Sequence, residues 1–185
     1  VDLFRRFGME VTAIERLDVH GGSLRVFAQR EGHAPPSADV EAWVEEERRR
    51  GVFDAATYDA VRDRVGRLRE ELVSLLGDLR ASGARLAGYG ASARGNTLLN
   101  YYGIGPGLLD FVADRNELKQ GLYTPGTHLP VVAPERILEE RPDHLLVIAW
   151  NFADEIIRQQ EAYREAGGSF ILPLPAVRVI GHGGP

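Results

Sequence analysis

The sequence predicts an α/β protein with an open, mainly parallel sheet covered by helices on both faces, and three observations carry that expectation. From Ala84 onward, short apolar runs alternate with helix-like segments. A glycine-bearing turn, Gly88-Tyr89-Gly90-Ala91-Ser92, joins the first such run to the first such helix. Upstream, residues 54–82 carry Val61, Val65, Leu68, Leu72, Leu75 and Leu79 in steps of three and four, the spacing of one helical face.

Taken in order, "VDLFRRFGMEV" places Leu3, Phe4 and Phe7 on one helical face and ends it at Gly8. "EVTAIERLDV" and "SLRVFAQR" alternate apolar and polar residues on either side of His20-Gly21-Gly22, which predicts a hairpin. A helix and a hairpin alone are marginal, so residues 1–31 read as the tail of a larger domain lying upstream. "GHAPPSA", residues 32–38, is a Pro-rich break expected to mark a domain boundary. A short helix with Val40, Trp43 and Val44 then runs into Glu45-Glu46-Glu47-Arg48-Arg49-Arg50, read as a solvated face paired across a helical turn. Together with the long stripe it forms a helical prop, residues 32–83, ahead of the domain at 84–185.

Within that domain "RLAGYG", "LLDFVAD", "HLLVIAW" and "SFILPLP" read as strands, with "LPVVAP" as a further short one. "ASARGNTLLNYYG", "PERILEER" and "NFADEIIRQQEAYREAG" read as the helices between them. Such alternation builds a parallel sheet, because each strand is returned to the same edge by its helix.

Composition narrows the function. The hydrophobic fraction of 44% and the charged fraction of 26% are those of an ordinary globular chain. A formal net charge of −5 argues against general binding to nucleic acid or anionic membranes, which needs clustered Lys and Arg. With no cysteine there is no disulfide, no thiolate nucleophile and no Cys-ligated metal, and no metal site is expected. No apolar run approaches the ~20 residues that span a bilayer, and Val1-Asp2-Leu3-Phe4-Arg5 is not a signal peptide, so a cytoplasmic protein is expected.

Gly88-x-Gly90-x-x-Ala93 matches the tolerant form of a dinucleotide fingerprint, set between a predicted strand and a predicted helix as a Rossmann-like fold requires. Its glycines let the backbone at Gly88, Tyr89, Gly90 and Ala91 turn tightly and approach a ligand, and the new helix offers free N–H groups and a positive dipole end to phosphate. Ser92, Asn96 and Thr97 add hydrogen-bonding groups, and Arg94, followed by Gly95, adds a fork of donors for phosphate oxygens. A turn serving only packing has the same pattern. Asp114 stands where a ribose-binding carboxylate would, and it equally suits a cap of the next segment. The loop "DRNELKQGLYTPGTHLP" then offers Lys119, Tyr123, Thr124 and Thr127 as ligand contacts or as ordinary loop residues. Trp150 and Asn151 close the next strand at the same edge, as ligand contacts or as packing and helix N-cap respectively. A free-standing NAD-binding module and a ligand-free scaffold domain both remain open on these residues.

"DVHGGSLRVFAQR", "GYGASARGNTLLNYYGI", "DRNELKQGLYTPGTHLPVVAP" and "VIAWNFADEI", in that order, closely resemble the C-terminal part of S-adenosylmethionine-dependent C-methyltransferases acting on nucleotide-linked deoxysugars. The resemblance covers nearly the whole chain. It implies that residues 1–31 are the last helix and hairpin of a class I methyltransferase domain, and that the Rossmann-like domain helps to hold a nucleotide sugar, a dTDP-sugar being expected. It implies chemistry in which a proton leaves the carbon beside a sugar ketone and the enediolate takes a methyl group, with the S-adenosylmethionine loop, the catalytic His/Tyr motif and a zinc region all upstream. No catalytic residue carries over, and this chain is expected neither to hold a cofactor nor to transfer methyl groups alone. What the resemblance assigns to substrate binding is Gly88 through Thr97, with Asp114, Lys119, Trp150 and Asn151, while His20 falls at the substrate rim.

Overall fold

The computed structural model describes residues 1–19, 22–33, 35 and 37–181. They form two compact units, Val1–Asp63 and the residues from Arg64 onward.

The first unit opens with a short helix, α1 (Asp2–Arg5), which the chain leaves through Gly8 at φ +65°. Strands β1 (Met9–Leu17) and β2 (Ser23–Arg30) pair antiparallel from Met9↔Arg30 to Leu17↔Ser23, with one irregularity between Val11 and Ala13. The turn residues His20 and Gly21 lie outside the described residues, and so does the rim position expected for His20. Helix α2 (Ala38–Arg49) packs on β1, and the backbone N–H of Ser37 donates to the Thr12 carbonyl at 2.9 Å. Its charge run is a solvated, self-paired face: Arg48 meets Glu45, and Arg49 and Arg50 both meet Glu46. Strand β2 buries none of its residues, and Leu24, Val26 and Phe27 are exposed along it.

Helix α3 (Ala55–Ala81) contributes to both units, and in its second half Leu68, Leu72 and Leu76 are buried. The buried line therefore runs through Leu76 in steps of four, while Val61 at the other end is 54% exposed. The second unit is built on a six-stranded sheet: β3 (Leu86–Tyr89), β4 (Val112–Ala113), β5 (Val131–Val132), β6 (His144–Val147), β7 (Ser169–Leu172) and β8 (Arg178–Ile180). Their spatial order is β5-β4-β3-β6-β7-β8, parallel from β5 to β7, with β8 antiparallel at the edge. The open, mainly parallel sheet is as the sequence predicts. Strand β8 has no counterpart among the strands that the sequence predicts, and β4 is much shorter than the apolar run "LLDFVAD". The start of that run is folded as a turn instead, the N–H groups of Leu108 and Leu109 both donating to the Gly105 carbonyl.

Alternation along the strands divides the core into two layers. Leu86, Val112, Val131, Leu146, Ile148 and Ile171 face the second half of α3 and helix α4 (Ala93–Tyr102). Ala87, Tyr89, Ala113, Leu145, Val147, Phe170 and Leu172 share the other layer with Ile137 of α5 (Arg136–Glu140), Ile156 of α6 (Ala153–Gln159) and Tyr163 of α7 (Glu161–Glu165). The segment read as one helix from Asn151 is thus a 3-10 turn, Trp150–Phe152, then α6 and α7 with a break at Gln160 (φ −103°, ψ 29°). Asn151 lies inside the 3-10 turn and caps nothing. The Phe152 N–H closes on the Ala149 carbonyl at 2.9 Å, so the chain has begun to coil before Asn151 could take an extended capping conformation.

Candidate functional site

The sheet reverses its winding beside β3. The chain proceeds outward from β3 to β4 and β5 on one side, then returns to lay β6, β7 and β8 on the other. In open α/β sheets the crevice outside the carboxyl ends of the two strands flanking such a reversal, here β3 and β6, is where ligands bind. The fold brings the 88–97 segment and Trp150-Asn151 to that crevice.

At this corner the glycines serve packing first. Gly90 takes φ +93°, and a Cβ there would stand 2.5 Å from the Ala149 Cβ. A Cβ on Gly95 would strike Ile148 Cγ2, and one on Gly88 would stand 2.5 Å from Ile148 Cδ1. Ile148 therefore occupies the space that both glycines leave, and α4 lies close on the end of β6. The N-terminus of α4 is capped by Ser92, whose Oγ accepts from the Gly95 N–H at 3.0 Å, while the Ser92 carbonyl accepts from Asn96. Thr97 Oγ1 turns back to the Ala93 carbonyl. Ala93 and Arg94 at the start of α4 are exposed, whereas Gly95 is buried and Asn96 half-buried, so the first two residues of the helix face solvent. The Asn96 Oδ1 atom is buried without a hydrogen-bond partner.

Asp114 is 8% exposed and fully engaged. Its Oδ1 accepts from the Asn116 N–H at 2.8 Å, and its Oδ2 lies 3.2 Å from the Lys119 ammonium. Lys119 also donates to the Ala91 carbonyl at 2.8 Å, so one side chain ties the loop after β4 to the glycine corner. Thr124 and Thr127 face each other at 2.7 Å, and Thr124 Oγ1 accepts from the Leu129 N–H, which spends both hydroxyls on their own loop. Gly126 of that loop sits against Asn100 of α4, while Tyr123 is exposed beside His128.

A cavity of about 260 Å³ opens beside Gly90 on the α6 side of the sheet. Tyr89, Gly90, Ala149, Phe152 and Ile156 give it apolar walls, and Asp114, Arg115, Glu155 and Gln159 bring polar groups. Arg115 reaches Glu155 at 3.8 Å, and Gln159 donates to the same carboxylate at 2.6 Å. Burial raises the Tyr89 phenol above its ordinary pKa, with the Gln160 side chain and the Arg115 charge opposing the shift. The hydroxyl nonetheless lacks a hydrogen bond of sound geometry. Trp150 packs into the layer beneath α4. Arg115, Phe152, Glu155, Ile156 and Gln159 were not singled out in the sequence. The signal was there: Phe152, Ile156 and Gln159 follow at steps of four and three on one face, opposite the residue after Asp114.

A larger recess, about 780 Å³, lies at the opposite, amino edge of the sheet, where Arg85 pairs with Glu140 and Arg136 with Glu139 and Glu140. Its cations are already neutralised. Among the described residues no group of three His, Asp or Glu side chains converges as metal ligands, and no helix is long and apolar enough to cross a membrane.

The family model described as "C-methyltransferase C-terminal domain" matches residues 18–175. The chain is 39% identical over 184 residues to C-methyltransferase NovU of Streptomyces niveus, a match that takes in 96% of this chain and 43% of that protein. It thus spans less than half the length of the relative it matches.

Proposed function

This chain belongs to the family of C-methyltransferase C-terminal domains, and from that premise we propose that it is the nucleotide-sugar-binding portion of a sugar C-methyltransferase, with the corner at Gly90–Arg94 gripping the substrate's diphosphate. The carrying observation is the exposed start of α4, Ala93 and Arg94, at the point where the sheet reverses. Orphan N–H groups and the positive helix end favour an anion there, and the Arg94 guanidinium adds charge-assisted bonds. Lys119 holds the Ala91 carbonyl, and so the corner, in one shape.

In the complete enzyme this chain would fix the nucleotide end so that the sugar ketone is presented to a methyltransferase domain outside it. S-adenosylmethionine would supply the methyl group from that domain. The exposed apolar residues Leu24, Val26 and Phe27 on the two-stranded ribbon suit coverage by such a domain.

Calorimetric titration with deoxythymidine diphosphate tests the reading, and absence of heat at millimolar ligand with the fold intact overturns it. Arg94→Ala is expected to weaken binding by roughly 1.5–3 kcal/mol, the loss of a charge-assisted hydrogen bond. The same corner suits a dinucleotide, which would instead change NADH fluorescence. Against that reading stands Asp114, whose carboxylate is taken up by Asn116 and Lys119 and is not held out to a ribose diol.

A further inference from the structure

We infer that the cavity beside Gly90 seats the nucleobase of the bound nucleotide, with Arg115 as its roof. This rests on the diphosphate reading above and adds the position and contacts of the base. Gly90 belongs to both the phosphate corner and the cavity wall, so a nucleotide anchored at the first turn of α4 enters the cavity by running its pentose across that residue. The side chains lining it suit a flat ring. Phe152, Ile156, Ala149 and the Tyr89 ring supply apolar surface, and polar groups stand at Arg115, Glu155 and Gln159, where the edge of a base needs donors and acceptors.

Size and charge narrow the occupant further. At about 260 Å³ the space falls just under the roughly 300–1,000 Å³ of pockets that hold drug-sized ligands, which suits a single flat base. The Arg115 side chain is 65% exposed and its ion pair among the described residues is a 3.8 Å contact with Glu155, so its guanidinium can turn over a ring placed beneath it. Planar guanidinium groups stack on aromatic faces, and this one follows directly on the engaged Asp114.

The experiment titrates the 185-residue chain, and its Arg115→Ala and Gln159→Trp variants, with deoxythymidine diphosphate and separately with inorganic pyrophosphate. Both substituted side chains are exposed, so the fold should survive, as circular dichroism will show. Deoxythymidine diphosphate should bind the unaltered chain at least about tenfold more tightly than pyrophosphate, the scale of one stacked base. Removing the roof or plugging the cavity should erase most of that advantage and leave pyrophosphate binding unchanged. Equal affinity for the two ligands, or variants that keep the advantage, overturns the base site while leaving the diphosphate reading intact. A fall in pyrophosphate affinity with Arg115→Ala also overturns it, by making Arg115 a phosphate ligand. Failure of both ligands to bind removes the diphosphate reading itself, and this inference with it.

Discussion

The two edges of the six-stranded sheet are finished differently. At the amino edge the polar groups are matched: Arg80 pairs with Asp110, Arg85 with Glu140, and the Arg85 N–H donates to Asp143 at 2.7 Å. Ser169 donates to the Asp143 carbonyl and meets His144 Nδ1 at 2.5 Å, and the Tyr163 hydroxyl donates to the Ser169 carbonyl. At the carboxyl edge the Tyr89 hydroxyl and the Asn96 Oδ1 are buried without a hydrogen bond of sound geometry, Ala93 and Arg94 at the start of α4 are exposed, and a partly apolar cavity stands open. Unmatched polar atoms cost stability. One end of the sheet is thus built for cohesion, while the other gives some of it up where a ligand would bind, even though the larger recess lies at the cohesive end.

The largest effect should come from disturbing the close approach of α4 to β6. In Gly95→Ala the new methyl group meets Ile148 Cγ2, and overpacking of this kind costs about 1–3 kcal/mol in urea unfolding. Ile148→Ala alone should cost about 2–5 kcal/mol, the usual range for emptying a buried position. Combined, the two changes should cost clearly less than their sum, since each removes the other's difficulty. Strict additivity would mean that α4 moves away from Ile148, and the packing role of Gly95 would fall.

That role bears on what could be read in the sequence. The strand–helix alternation and the long helix with one apolar face follow from local patterns, and both are present. The glycine pattern left phosphate binding and packing open, and the space that Gly88 and Gly95 leave to Ile148, more than fifty residues away, is a packing reason that only the fold reveals. Asp114 and Lys119 were visible as candidates, but their mutual ion pair depends on a loop path that no periodicity encodes. The cavity was hidden for a similar reason: its walls come from three strand ends and α6, brought together only by the strand order. The break at Gln160 carries neither proline nor glycine, so no breaker residue announced it.

Two buried tyrosines in one core layer sharpen the contrast between the edges at a smaller scale. Tyr163 is 2% exposed and its hydroxyl donates to the Ser169 carbonyl, whereas Tyr89 is 3% exposed and its hydroxyl, with the Gln160 side chain near it, lacks a hydrogen bond of sound geometry. Tyr163→Phe should therefore cost about 1 kcal/mol, the net worth of a hydrogen bond plus the carbonyl left behind. Tyr89→Phe should cost nothing or stabilise by up to about 1 kcal/mol, because it removes an unmet demand. Matched urea midpoints at equal slope would check this, and equal losses in the two variants would show that Tyr89 is satisfied in solution.

The smallest effect is a pH dependence at the amino edge. Burial lowers the His144 pKa from its ordinary 6.5, and the nearby Asp143 charge only partly opposes it. In the unfolded chain His144 takes up its proton near its ordinary pKa, so below that point the unfolded state binds more protons than the folded one. Stability should be level above about pH 6.5 with respect to this group and fall as the solution is acidified towards the lower folded value. Once His144 is protonated both ring nitrogens are donors, so Nδ1 then donates to Ser169 Oγ and the Ser169 hydroxyl turns to the Asp143 carbonyl. His144→Asn keeps a donor near Nδ1 and removes the titration. The unaltered protein should lose more urea stability than the variant between about pH 7.5 and pH 5.5, with every carboxylate contributing alike to both. If the two fall in parallel, His144 titrates no differently in the folded chain than in the unfolded one, and burial does not govern it.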